Sequence, residues 1–479
     1  MNETLLEEPR LEQSSDTQNG TVAAPQNAAT AAELERANLE KIAPRPNSLA
    51  DTGLGQTFLS DLTAKHLLDG GILTLADLST RMALAGPIVR QLLEFMRAEA
   101  RIEVRGLAND GSAANLRYAL TDRGRIGAQD AMSRSGYVGP APVPLEDYLR
   151  IVDAQTVHDR DVRAADMTNA FKNVVLRDEI RDQLGPALNS GRAIFIYGNA
   201  GTGKTFITQQ LVGLFPDNTL LPYAIAIDEI VVEVYDPILH RPVDQGNASP
   251  NIMLEQGHDP RYVCCSRPRI VVGGELTADM LEIRYDSSTK RYQAPLQLKA
   301  NNGIFIIDDM GRQRVAPETV FNRWIVPMEE KIDYLSLGSG RHFSVPFNVI
   351  LLFSTNMHPT DIADEAFLRR IGYKIEFPTL RADEYQRIWE DFCSNNNISC
   401  DADVLDYTIN ALHAVHGVAL LPCHPRDLLS IAAERATYNG NGRHVDKEAM
   451  QQAWSNYFVL SNPGNHARPS PSIDGGNKS

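Results

Sequence analysis

Apolar positions along the chain fall into distinct regimes. The first fifty-five residues carry few aromatics and are rich in Ala, Glu, Asn, Gln and Thr, which predicts a disordered tail over 1–55. Only "AAELERANLEKIA" (Ala31–Ala43) has spacing suited to a transient helix. "FLSDLTAKHLLDGG" then has helical apolar spacing and ends on a Gly pair. "LTLADLSTRMAL" offers Thr74 as the cap of a short helix, and "PIVRQLLEFMRAEA" starts another at Pro87. "IEVRG" and "NLRYAL" read as two short strands joined by the polar "LANDGSAA", with a last helix following. "SGYVGPAPVPLEDYLRIV" is a proline-punctuated connector that turns helical near Leu145, within a linker spanning 134–165. Beyond it, strand-like apolar runs alternate with helical patterns, the signature of a three-layer α/β domain with a parallel sheet. The last nineteen residues, rich in Pro, Gly and Ser, predict a second disordered tail over 461–479.

The unit at 56–133 resembles a winged-helix domain, an α+β module with the helix Pro87–Ala100 at the reading position. Its functional readings are DNA binding or protein docking. That helix carries Arg90 and Arg97 against Glu94 and Glu99, and duplex binding needs a clear cationic excess to displace counterions. Docking is therefore favoured over DNA. The net charge of −15 over 479 residues has the wrong sign for bulk nucleic acid as the main partner. No segment approaches the roughly 18 apolar residues of a membrane span. The N-terminal "MNETLLEEPRLEQSS" lacks the basic and apolar regions of a secretory signal, so a cytoplasmic location is expected. Five cysteines, an odd number, make no disulfide framework. A zinc site recruiting His258, or Cys423 with His424, would lack any Cys-x-x-Cys pair.

The candidate chemistry starts at "GNAGTGKT", Gly198 to Thr205, between the apolar "AIFIY" and the helical "TFITQQLVGLF". It fits G-x-x-x-x-G-K-[ST] at every constrained position. Gly198, Gly201 and Gly203, with Asn199, Ala200 and Thr202 between them, let successive N–H groups converge on phosphates. Lys204 would reach the β/γ oxygens, and Thr205 would offer its hydroxyl to Mg²⁺. "GIFIIDDMGR" delivers Asp308 and Asp309 at the polar end of a short strand. Asp308 is expected in the Mg²⁺ shell and Asp309 at the attacking water, one methylene shorter than the commoner glutamate. "FNVILLFSTNMHP" ends in Asn356, which would orient the water or touch the γ-phosphate if its strand lies between the other two.

These motifs, followed by Arg369-Arg370 at a helix end and Arg426 near the start of "HPRDLLSIAAERATY", occur in the order used by the AAA+ ATPases, which the chain resembles from about Asn169 to Phe458. The stretch "PMEEKIDYLSLGSGRHFSVP" is similar to the hairpin region of the MoxR-like branch. The resemblance implies an AAA+ large domain at 166–380, a small helical lid at 381–460, and a ring, usually hexameric, with ATP at subunit interfaces. Arg370, with Arg369 as the alternative, would be the arginine finger acting in trans, and Arg426 the lid residue that contacts phosphate. The expected function is Mg²⁺-dependent ATP hydrolysis coupled to remodelling of a protein client. The alternatives are a DNA-acting ATPase and a nucleotide-gated scaffold with negligible hydrolysis. About ninety residues between the phosphate-loop helix and Asp308 form an insertion, with a hairpin expected to turn at Ser287–Lys290.

Overall fold

The computed structural model describes residues 37–107, 116–243, 257–338 and 340–458. The tail expected over 461–479 lies outside them, as do 1–36 and most of the "LANDGSAA" connection. Residues 37–55 depart from the expected disorder. They form a helical turn and a 3-10 turn, with Leu39, Ala43 and Thr52 buried. Leu39 and Ala43 pack into an apolar cluster with Tyr148 and Val152, contacts too distant in sequence to appear in local composition.

The next unit consists of helices α1 (Gln56–Gly70), α2 (Leu75–Met82), α3 (Gly86–Ala98) and α4 (Asp122–Arg134). Thr74 and Asp77 close a reciprocal capping box on α2, and Pro87 occupies the first turn of α3. The strands Ile102–Leu107 and Leu116–Leu120 pair antiparallel, and a third, Leu73–Thr74, joins the opposite edge.

The connector is no free linker. Val143–Pro144 forms the edge strand of a second sheet, where the missing proline N–H is tolerated. Helix α5 (Leu145–Ala154) buries Tyr148, Ile151 and Val152. That second sheet is built mainly from the insertion, in the order Arg284–Asp286, Arg291–Gln293, Ile230–Glu233, Ala224–Ile227, Val143–Pro144. Its first two strands are the arms of the expected hairpin. Ala224 and Val231 share a core with α1 to α4, so the insertion carries the N-terminal unit. Buried Arg261 completes the tie, holding the Asp259 carboxylate while its Nη1 donates to the carbonyls of Thr52 (2.8 Å) and Pro142 (3.3 Å).

The central sheet is parallel throughout: β1 (Ile194–Tyr197), β2 (Arg269–Val272), β3 (Ile304–Ile307), β4 (Ile350–Thr355) and β5 (Tyr373–Glu376), in the spatial order β2-β3-β4-β1-β5. Alternating side chains serve two cores, as the pleat dictates. Ile194, Ile196, Ile304 and Leu352 face α6 (Asp178–Asn189) and the apolar residues of α7 (Lys204–Gln210). Phe195, Phe305 and Phe353 face Phe321 and Trp324 of α8 (Pro317–Glu330). This is a three-layer α/β architecture on a parallel sheet, the class expected from the sequence, with a helical C-terminal region. That region packs α9 (Ala382–Asn396), α10 (Cys423–Tyr438) and α11 (Lys447–Tyr457) around Tyr385, Leu428 and Trp454. Among the described residues no helix is long and apolar enough to cross a membrane.

Candidate functional site

The strand order sets the site. Where the strand order of an open parallel sheet reverses, a crevice opens at the strands' carboxyl ends. β4 lies between β1 and β3, so Asn356 emerges between the phosphate loop and the Asp308-Asp309 pair. The loop follows β1 directly. Gly198, Gly201 and Gly203 have φ of 148°, 82° and 84°, a region that side chains rarely adopt. A Cβ at Gly198 would lie 2.3 Å from the Phe377 carbonyl oxygen, and one at Gly201 2.7 Å from Cys423 Sγ.

Five side chains from three strand ends converge there. Lys204 is buried, and its Nζ donates to the carbonyls of Gly198 (2.9 Å) and Asn199 (2.8 Å) and to Asn356 Oδ1 (2.8 Å). The other end of that carboxamide, Asn356 Nδ2, donates to Asp309 Oδ1 at 2.9 Å. The Thr205 hydroxyl donates to Asp308 Oδ2 at 2.6 Å. Burial pulls the Lys204 ammonium below the ordinary lysine range, while Asp308 and Asp309 oppose the shift. The lysine is thus desolvated among acceptors that an anion can replace.

Asp309 has φ of 50°, a left-handed conformation that Asp tolerates better than most residues but that still costs on the order of 1 kcal/mol. The turn is held in place by neighbours. Asp308 N donates to Val272 O, Met310 N to Ser354 O, and the Thr355 hydroxyl to Met310 O. Gln313 adds its carboxamide to the same turn.

The cleft above these groups encloses about 650 Å³ between the sheet edge and the C-terminal helices. Apolar walls come from Val174, Leu176 and Ile180 on one side and Ile388, Phe392 and Pro422 on the other. Arg426 reaches it from α10, paired with Asp427 at 2.9 Å. Three further lining residues carried no local signal: Arg312, directly after the acidic turn, and Arg177 and Glu384, which face each other across the cleft. Arg370 is not among its lining residues. Its Nε donates to Glu329 at 2.5 Å and its Nη1 to the Ala366 carbonyl, whereas Arg369 is exposed.

The donor set fits the ligands expected from it. Among the described residues no three His, Cys, Asp or Glu side chains gather to hold an ion alone. Asp308 with Thr205 offers one carboxylate and one hydroxyl, the set suited to Mg²⁺ that shares its shell with phosphate oxygens and water.

Comparison with known proteins adds a partial frame. Residues 381–456 match a family described as a domain of unknown function (DUF8689). No curated protein matches the chain. Among solved structures the chain is similar to the Thermotoga maritima RuvB Holliday junction branch migration motor, at 11% identity and TM-score 0.33, over 60% of this chain and 70% of that one. It is also similar to NtrX from Brucella abortus, at 12% identity and TM-score 0.38, over 60% and 56% respectively. With identity and overlap this low, the fold rests on the strand order and loop geometry described above.

Proposed function

We propose that the chain hydrolyses ATP to ADP and phosphate and uses the energy to remodel or assemble a protein partner. The observation that carries this reading is the continuous Lys204–Asn356–Asp309 contact beside Thr205–Asp308 in a single cleft. Lys204 would exchange its carbonyl acceptors for phosphate oxygens, and the glycine loop would wrap the same group with N–H donors. Asp309 would accept a proton from the attacking water, with Asn356 fixing the carboxylate's direction. Mg²⁺ held beside Thr205 and Asp308 would supply charge neutralisation on the phosphates.

Arg426 would contact phosphate from the lid at 381–460, and an arginine of the Arg369-Arg370 pair would act on a neighbouring subunit's site in a ring. Exposed Arg369 is the freer of the two, since Arg370 must first leave Glu329. The hairpin Ile332–Pro346 that precedes β4 supports placement in the MoxR-like branch. In the winged-helix-like unit, Arg105 pairs with Glu103 and Arg81 with Asp69. That local neutralisation favours a protein-docking role over duplex DNA.

The test is ATP turnover by the full chain beside Lys204→Ala and Asp309→Asn. Asn tolerates the left-handed backbone at 309, so that substitution removes the base without straining the turn. Turnover is expected to fall by roughly two to four decades in Asp309→Asn while ATP binding persists. Equal rates in wild type and Asp309→Asn would favour the nucleotide-gated scaffold instead.

A further inference from the structure

We propose that Gln313 is a positioning residue for hydrolysis, holding Asp309 in the backbone conformation from which its carboxylate meets Asn356. The inference rests on the ATPase reading above and names a residue outside the phosphate-binding and acidic motifs.

The Gln313 carboxamide uses both ends on one turn. Its Nε2 donates to the carbonyls of Asp308 (3.0 Å) and Asp309 (3.1 Å), and its Oε1 accepts from Gly311 N at 2.8 Å. The two carbonyls demand donors and the amide N–H demands an acceptor, so a single orientation of the carboxamide satisfies all three. The turn spans Asp309 at φ 50° and Gly311 at φ 103°, two successive departures from the ordinary backbone regions within three residues. A left-handed aspartate persists only where surrounding contacts over-determine it. Strand contacts hold the turn from Asp308 N and Met310 N, and Gln313 holds it from the two carbonyls. Rotation of the Asp309–Met310 peptide would swing the Asp309 carbonyl off Gln313 and the Met310 N–H off Ser354, loosening the turn from which the Asp309 carboxylate meets Asn356.

The chemistry of the side chain is specific. Glutamate has the same length and keeps the acceptor for Gly311 N, but when ionised sets an oxygen against two carbonyl oxygens. Methionine has similar size and reach and makes none of the three hydrogen bonds. A space-filling role would leave Gln313→Met near wild-type turnover. A positioning role through the hydrogen bonds lowers turnover in both variants and ranks Glu below Met.

The experiment compares full-length wild type, Gln313→Met and Gln313→Glu by kcat and KM for ATP, by affinity for a fluorescent ATP analogue, and by melting temperature. Turnover is expected to fall roughly ten- to a hundredfold, since small misplacements of a catalytic group have effects of that order. The fall should be larger in Gln313→Glu, with nucleotide affinity held within about threefold, because the phosphate loop is untouched. Unchanged kcat in Gln313→Met overturns the inference. So does a joint loss of turnover, affinity and melting temperature, which would mark a general structural role. Absence of turnover in wild type contradicts the ATPase reading itself and removes the inference with it.

Discussion

The Arg177 guanidinium grips the Glu384 carboxylate across the cleft, Nε to Oε1 at 2.6 Å and Nη2 to Oε2 at 2.8 Å, while Nη2 also donates to the Thr379 carbonyl at 2.6 Å. Arg177 occupies the N-cap position of α6, and Glu384 accepts from Arg381 N in the first turn of α9. Burial works to raise the Glu384 carboxyl, and the hydrogen bond from Arg177 leads the contributions that outweigh it, leaving it lowered. Bidentate geometry makes this one of the stronger kinds of ion pair.

Arg177→Ala should therefore loosen the C-terminal helices. Stranding a partly buried carboxylate costs about 2 kcal/mol. The expected readouts are faster limited proteolysis between 378 and 384 and weaker nucleotide binding, both restored by the exchanged pair Arg177→Glu with Glu384→Arg. Proteolysis indistinguishable from wild type would show that apolar contacts alone seat the C-terminal helices.

Acid should destabilise the chain through two buried imidazoles. Burial lowers His158 and His424 to about 4, with Lys331 adding to the effect on the first and His413 on the second. Both folded-state values lie below the ordinary histidine value of about 6.5. Between these limits the unfolded chain binds more protons, so stability is present above about pH 6.5 and lost as pH falls towards 4. Neither His158 ring nitrogen has a hydrogen-bond partner. His158→Phe should flatten the decline of melting temperature between pH 7 and 4.5. An unaltered slope would place the acid sensitivity elsewhere.

The N-terminal unit should move with the central sheet. Arg261 binds Asp259 within a fully enclosed site and ties both segments that flank that unit. Removing one partner of a buried pair costs on the order of 3–5 kcal/mol. Arg261→Ala is expected to free residues 37–144 for proteolytic release while the 194–377 core survives. Resistance equal to wild type would mean the Ala224 and Val231 packing suffices by itself.

What the sequence made legible was local. The glycine loop, the acidic pair and Asn356 each sit where a strand ends, and continuous apolar runs located all three strands. Thr74, Pro87 and Leu145 mark helix starts through chemistry confined to one turn. The remainder depends on pairings that no window contains. Arg177 and Glu384 are 207 residues apart, and Val143–Pro144 becomes a strand only because Ala224–Ile227 lies beside it. Gln313 is near the acidic pair in sequence, yet its use of both ends of the amide follows from the reversed turn at Asp309. Residues 37–55 looked disordered because their apolar partners lie in α5 and the insertion.

The central claim is a shared ATP site, and the most direct measurement is hydrolysis rate per chain against protein concentration, repeated with Arg369→Ala or Arg370→Ala mixed into wild type at rising fractions. A shared site predicts a per-chain rate that climbs with concentration and falls more steeply than the wild-type fraction on mixing, because an arginine supplied in trans is worth roughly three to five decades in rate. A rate independent of concentration, diluted only in proportion by both variants, would contradict it.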